Sequence, residues 1–482
     1  MAPANERRLI AIAFILYALL VLCTTALHGM WLDELQPWCV ARDSVSLTDL
    51  YRHTRFEGHP PLWYLLLFAL TRVTNDPAAM QVLHVGIAMC TAAVVLWRAP
   101  FIWWWRVLIV FGYFFFYEYA VIARNYGLAL LFLALAADVR HRIGPGWQWT
   151  TLLVLAGLTH IWAIVFAGAW VVAALFQERT RTTWSCALIV LGCCLLSFWW
   201  CIPDHPAPTG VPLGSTPLPN AVARFATITT QGLLPWPDLL SDRPWNHNLL
   251  HDGSHALSAA IGAALLIALF WFAPRDRSAR IFLLLALLGT SALPIVGGFH
   301  STRHYGPVIV AWLLLWWWIP LAERRPGAKA FTSVLLVCQV VGALLCMAMA
   351  MFSDPLSEAY RLPVVMRTHD LQDRTVVVDA YTAGPAISGY LQRPVYFTTT
   401  NAMGSFCDGA LPAYVLDDEH LLKAMDQVPS DNFVWCTARP ELRQQVAERM
   451  KAEVFLIGDL TAAQMPTERV MVFHVKRPWA TE

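Results

Sequence analysis

Eleven runs of apolar residues, at 9–28, 78–97, 101–118, 121–138, 148–158, 161–177, 184–202, 256–273, 281–298, 304–321 and 330–352, decide what this chain can fold into. A helix needs about 20 residues to cross the hydrocarbon of a bilayer, so most of these runs read as spans. The run 148–158 is too short alone, and reads as a half-helix or as one arm of a bent hairpin with 161–177. With 57% hydrophobic and 14% charged residues among 482, the chain has too little polar surface to enclose a soluble core of its size. A polytopic α-helical membrane protein with about eleven transmembrane helices is the class that remains.

A net charge of +1, with arginines scattered at span ends rather than gathered on one face, excludes nucleic acid as a partner. Most cysteines lie inside apolar runs, as Cys193 and Cys194 do, and no CxxC or Cys/His spacing suggests zinc. Cys407 and Cys436 stand in the polar C-terminal part, where pairing in an oxidising compartment stays open. The first run follows Arg7 and Arg8 and leads without a small-residue cleavage site into Trp31, so it reads as a retained anchor.

The run 61–71 is also shorter than a span, and its start at Pro60 and Pro61 suits a helix lying at the membrane interface. Counted as not crossing, it leaves Arg7, Arg8, Arg98, Arg140, Arg142, Arg179, Arg181, Arg275, Arg277, Arg280, Arg324, Arg325 and Lys329 on one side. The positive-inside rule makes that side cytoplasmic. The expectation is a multi-pass protein of the inner (cytoplasmic) membrane, N-terminus inside, although an endoplasmic reticulum setting satisfies the same physics.

Two parts follow. Residues 1–352 form a transmembrane domain with an outer loop at 29–77 and a long outer loop at 203–255, the latter rich in proline and carrying Trp236 and Trp245 for the headgroup level. Residues 353–482 change character: RTVVVDA, RPVYFTT, NFVWCTA, AEVFLIGDL and RVMVFHV read as short strands, with helices at 441–452 and around 417–427. A small extracytoplasmic, periplasmic α/β domain is expected, structural or acceptor-facing.

The chemistry-bearing residues fall at the outer turns. Asp33 and Glu34 are adjacent, so on a helix they diverge by about 100° and one can face a site while the other serves the fold. Pressed against the membrane by Trp31, Leu32, Leu35, Pro37 and Trp38, such a carboxylate suits a general base; a solvated capping pair is the plain alternative. His59, fixed before two prolines, and Glu57 nearby suit a phosphate or a shared metal, or else a helix start. Arg124 and Arg303 defy the positive-inside trend and suit a phosphate, against plain snorkelling to lipid. His304, Tyr126, His160, Tyr305 and His300 are weaker candidates, each equally explained by packing. The tryptophans at 103–105 and 316–318 read as interface belts or helix packing.

The segments WLDE (31–34), GHPPLWYLLL (58–67), ARNYGLALL (123–131), THIWA (159–163) and TRHYGPVIVAW (302–312), in this order, resemble the GT-C superfamily of polyprenyl-phosphate-dependent glycosyltransferases. The branch in question holds the protein O-mannosyltransferases and the lipid A aminoarabinose transferases. The resemblance covers about the first two thirds of the chain. It implies transfer of a sugar from a polyprenyl-phosphate donor to a lipid, glycan or protein hydroxyl on the outer face, usually with inversion. By position in these motifs Asp33 would be the general base and Glu34 its support, with Arg124, Arg303, His304, His59 and Tyr126 around the donor phosphate, and Glu57, His160 and Tyr305 positioning substrate. Membrane lipids are the other expected partners. Some superfamily members use a divalent cation and others do not; no clear metal set is legible here, so none is assigned and a divalent cation stays open. A transporter or flippase of lipid-linked saccharides, or an inactive scaffold of the same fold, is the alternative.

Overall fold

The computed structural model of the protein describes residues 4–55, 57–202, 218–241, 245–297, 301–319, 325–407 and 417–478. His300, Arg324 and much of the proline-rich loop after Ile202 lie outside the described residues. Sixteen helices come first: α1 (Ala4–Leu27), α2 (Leu32–Asp43), α3 (Leu47–Thr54), α4 (Leu62–Thr71), α5 (Ala78–Arg98), α6 (Trp103–Val110), α7 (Asn125–Arg142), α8 (Trp147–Gly157), α9 (Ile161–Gln177), α10 (Arg181–Cys201), α11 (Leu218–Leu233), α12 (Leu249–Gly253), α13 (His255–Phe272), α14 (Arg277–Gly297), α15 (Pro307–Trp318) and α16 (Ala328–Phe352).

Among the described residues six of these helices, α1, α5, α10, α13, α14 and α16, are long and apolar enough to cross a membrane. They coincide with six of the eleven apolar runs. The other five runs fold differently. The run 101–118 is broken: α6 stops at Val110, and a π-helical turn, Phe114–Glu118, follows before the chain straightens towards Asn125. Helix α7 ends in a polar turn, where buried Asp138 receives Arg98 and Arg142 at 2.7 Å each. Helices α8 and α9 are the two arms of a bent hairpin, with the His160 ring at the bend accepting a hydrogen bond from the Trp162 amide at 3.2 Å. Helix α15 has 12 residues and is buried throughout, its tryptophans 316–318 packed inside the bundle.

Helix α4, with 10 residues, rises only about 15 Å and does not reach across a bilayer. It lies along α2 instead. Its last turn leads into Arg72, whose guanidinium donates to the carbonyls of Ala41 (3.1 Å), Arg42 (2.7 Å) and Ser44 (3.3 Å) and so closes the end of α2.

The C-terminal part is a mixed sheet with helices on both faces. It comprises α17 (Leu362–Thr368), β1 (Thr375–Val378), α18 (Gly384–Leu391), β2 (Val395–Phe397), β3 (Ala402–Gly404), α19 (Asp418–Asp426), β4 (Asn432–Thr437), α20 (Arg443–Met450), β5 (Glu453–Leu460) and β6 (Val470–Lys476). The strand order is β3-β2-β1-β4-β6-β5, with β1 parallel to β2 and β4 and the remaining pairs antiparallel. Alternation decides the two faces. Val377, Phe433, Trp435 and Val475 pack on α19 and α20, whereas Val376, Val378, Val434, Cys436 and Val472 share a core with Leu35, Trp38 and Cys39 of α2 and Ile387 of α18. The domain is thus seated directly on the first loop of the membrane part. Cys407 and Cys436 are both free, the first bonded to the Tyr381 carbonyl and the second buried inside β4.

Close packing in the bundle is most demanding where α13 meets α11. Gly262 lies on the Ala226 carbonyl, and a Cβ there would overlap that oxygen. Gly262→Ala is expected to force the two helices apart at a cost of about 1–3 kcal/mol, seen as a lower melting midpoint of the detergent-solubilised protein. An unchanged midpoint would mean the helices do not touch there.

Candidate functional site

The acidic pair at the start of α2 is divided by the helix itself. Glu34 turns inward and is fully buried. Its carboxylate receives His28 Nε2 at 2.6 Å, the Ala123 amide at 2.7 Å and the Trp31 amide at 3.4 Å, so the end of α1, the start of α2 and the approach to α7 meet on one side chain. Because Glu34 holds residue 123, the next residue, Arg124, is delivered to Asp33. Its Nη1 donates to the Asp33 carbonyl and stands 3.4 Å from the Asp33 carboxylate.

Arg303 reaches the same carboxylate from the far end of the sequence and forms an ion pair with it. It sits in a tight turn, Thr302–His304, held by a 2.8 Å hydrogen bond from the Tyr119 hydroxyl to its carbonyl. Gly306 lets that turn close, since a Cβ there would strike Tyr119 and Phe114. The guanidinium lies over Trp31 at 5.5 Å and Trp245 at 5.8 Å from the ring centroids. Burial alone would push the Asp33 carboxyl up, but the charges of Arg303 and Arg124 outweigh it and hold it below the usual range.

Around this group stands a wall of rings. The amide of Leu62 donates to the Leu158 carbonyl at 2.9 Å, tying the start of α4 to the α8–α9 bend, so that His59 and His160 face each other with ring centroids 4.9 Å apart. Arg124 Nη2 is 3.2 Å from His59 Nε2. Tyr126 packs on His160 at 4.2 Å and its hydroxyl bonds His304 at 3.0 Å. Burial, reinforced by neighbouring cations, pushes His59 down to about 3 and lowers His160 and His304 as well, so all three rings are neutral at physiological pH. Two guanidinium groups then face the Asp33 carboxylate, with the carboxyl groups of Glu57 and Glu118 close by.

The sequence candidates thus separate. Asp33, Arg124, Arg303, His59, His160, Tyr126 and His304 converge. Glu57 lies just behind, its carboxylate receiving Gln36 at 2.8 Å and Tyr64 at 2.9 Å, and burial raises its pKa. Tyr305 packs into the apolar bundle core, with its carbonyl against Gly232. Three more residues complete the surroundings: Trp245, which the sequence placed at the headgroup level, and Glu118 and Glu468, which it did not single out. Trp245 is buried rather than at a headgroup level, and its indole donates to Glu118 at 3.1 Å; Glu118 also receives the Tyr113 hydroxyl at 2.8 Å. Glu468, from the turn before β6, accepts the amide of Leu32 in the first turn of α2. A proline-rich sequence and a lone Glu far down the chain carry no local sign of such roles.

The donor set does not fit a divalent cation. Asp33 already faces two guanidinium groups, and among the described residues no three His, Cys, Asp or Glu side chains gather round one point. No protein-family model matches the chain, and no curated protein is significantly similar to it.

Two outcomes test this geometry. Glu34→Ala leaves the Ala123 amide and His28 without their buried acceptor and is expected to destabilise the fold by about 1–3 kcal/mol, seen in thermal melts of purified protein. Burial raises Glu468 from 4.5 to about 8. A carboxyl raised on folding keeps its proton longer in the native state, so stability falls as pH climbs from 4.5 and the loss is complete above about 8. Glu468→Gln is expected to flatten that decline in the melting midpoint; an equal slope in both proteins would show that Glu468 is not buried against α2.

Proposed function

We propose that this protein is an integral membrane glycosyltransferase that moves a sugar from a polyprenyl-phosphate donor to an acceptor hydroxyl on the outer face of the membrane. The observation that carries the reading is the sharing of one carboxylate, Asp33, by two arginines from distant segments, beside neutral histidines and directly above apolar helices. Two guanidinium groups held on one carboxylate suit an anionic leaving group, and the apolar bundle suits its isoprenoid tail. The resemblance of the five sequence segments to GT-C glycosyltransferases points the same way.

In the proposed reaction the donor phosphate takes over Arg124 and Arg303. Losing those charges raises the proton affinity of Asp33 and frees it to act as base. Asp33 then removes the proton from the acceptor hydroxyl, the oxygen attacks the anomeric carbon, and the bond from that carbon to the phosphate oxygen breaks. The polyprenyl phosphate leaves with the electron pair, stabilised by both guanidinium groups, and the attack from the opposite face inverts the configuration. Glu34 acts as a positioning residue, because its bond to Ala123 sets Arg124 against Asp33. His59, Tyr126, His160 and His304 line the donor side, and the sheet domain, resting on α2, presents the acceptor. The site faces the periplasm of an inner membrane in this reading, opposite the arginine-rich span ends.

The test is transfer by purified, reconstituted protein, given a panel of polyprenyl-phosphate sugars with membrane extract as acceptor. Asp33→Asn is expected to lower kcat by about 10²–10⁴-fold while donor still binds, and Arg303→Gln to raise the donor KM as well. Circular dichroism checks that helix content is kept. Transfer indifferent to Asp33 would sink the mechanism. Donor binding without transfer by the wild type would point instead to transport of lipid-linked saccharides or to a scaffold.

A further inference from the structure

A second polar and apolar combination lies at the other end of the bundle. Helix α15 begins beside Arg303 and runs away from it, and Arg325 follows its far end; α14 starts at that same end, with Arg280 in its opening turns. Between them an open groove of about 500 Å³ is lined by Leu266, Ile267, Phe270 and Trp271 of α13 together with Arg280 and Arg325. Helix α13 is the least enclosed of the six spans, with 17% of its most apolar stretch buried, so the apolar wall of the groove faces the acyl region.

The two arginines are each held in place by a neighbouring group. The Arg325 guanidinium stacks over Trp271 at 5.4 Å, and Arg280 Nε donates to the Pro274 carbonyl at 3.2 Å. Asp276, an acidic group on the same turn, is engaged in starting α14, receiving the Ala279 amide at 2.8 Å and the Ser278 hydroxyl. Among the described residues no carboxylate pairs with Arg280 or Arg325. Two guanidinium groups, one from α14 and one from the connection before α16, at the head of an apolar groove match a phosphate with acyl chains attached.

We infer that this groove binds an anionic membrane phospholipid, with its phosphate between Arg280 and Arg325 and an acyl chain along Leu266, Ile267 and Phe270. The proposal is independent of the chemistry at Asp33. Basic pockets between spans hold lipid headgroups in this manner, and each arginine adds to the preference for negative charge.

The experiment is native mass spectrometry of the full-length protein in a non-ionic detergent, titrated with phosphatidylglycerol, with phosphatidylcholine of the same chains, or with inorganic phosphate. The wild type is expected to retain phosphatidylglycerol in preference to phosphatidylcholine. The double variant Arg280→Gln/Arg325→Gln is expected to weaken phosphatidylglycerol retention roughly 10- to 30-fold, and Arg280→Lys/Arg325→Lys to keep most of it. Leu266→Trp, which leaves both charges and narrows the groove, is expected to weaken retention too and decides the matter if the glutamine variant does not fold. Equal retention of the two lipids, retention unchanged by the glutamine pair or by Leu266→Trp, or displacement of the lipid by inorganic phosphate alone would each overturn the proposal.

Discussion

A carboxylate removed from water must find its hydrogen bonds inside the protein, and Glu34 finds them on three segments at once. That requirement fixes the relative placement of the end of α1, the start of α2 and the stretch before α7. The meeting of Arg124 with Asp33 follows from it. With residue 123 pinned, Arg124 has one place to go, and Asp33, next along the helix and about 100° round, has one partner to meet. The two adjacent acids are therefore not redundant: Glu34 ties three segments together and Asp33 is left facing the two arginines.

The second determinant is what rests on α2 from outside. Its outer face is covered by α18 and by one face of the sheet, in a core continuous with Trp63 and Leu67 of α4. Arg42 donates to the Ser388 carbonyl and hydroxyl at 3.1 Å each, and Gln36 grips the backbone of Cys407 through two bonds of 2.8 Å. A short helix at a membrane surface has little stability of its own. Here it is clamped between the bundle and a folded domain, which keeps Asp33 and its arginines in register.

Much of this was legible in the sequence, for reasons that differ by element. Six long apolar runs became helices long and apolar enough to cross a membrane, because a continuous apolar run of that length favours one unbroken helix. That residues 61–71 form a helix shorter than a span was readable from their length, and five strands of the sheet from their short runs of β-branched and aromatic residues. The break in 101–118 was not, since a run of aromatic residues looks apolar whether it forms one helix or a π-helical turn. Nor were β3, with three residues, or α18, whose glycines and proline at Gly384–Pro385 read as loop. At the site, Asp33, Arg124 and Arg303 stood out because charge beside hydrocarbon is rare. Glu118 and Glu468 did not, and Trp245 was placed at the headgroup level instead, because their burial is created by partners far away in sequence.

The bond from the Leu32 amide to Glu468 joins residues 436 positions apart. A chain made from its N-terminus inserts α1 and exposes the acidic loop while nearly all of that loop's outer partners are still unmade. Contacts of such long separation form late, after the loop entropy between them has been overcome. The first polar segment to emerge is thus among the last to be fixed. A chain interrupted before Glu468 carries both arginines that face Asp33 but lacks the acceptor for the Leu32 amide at the start of α2.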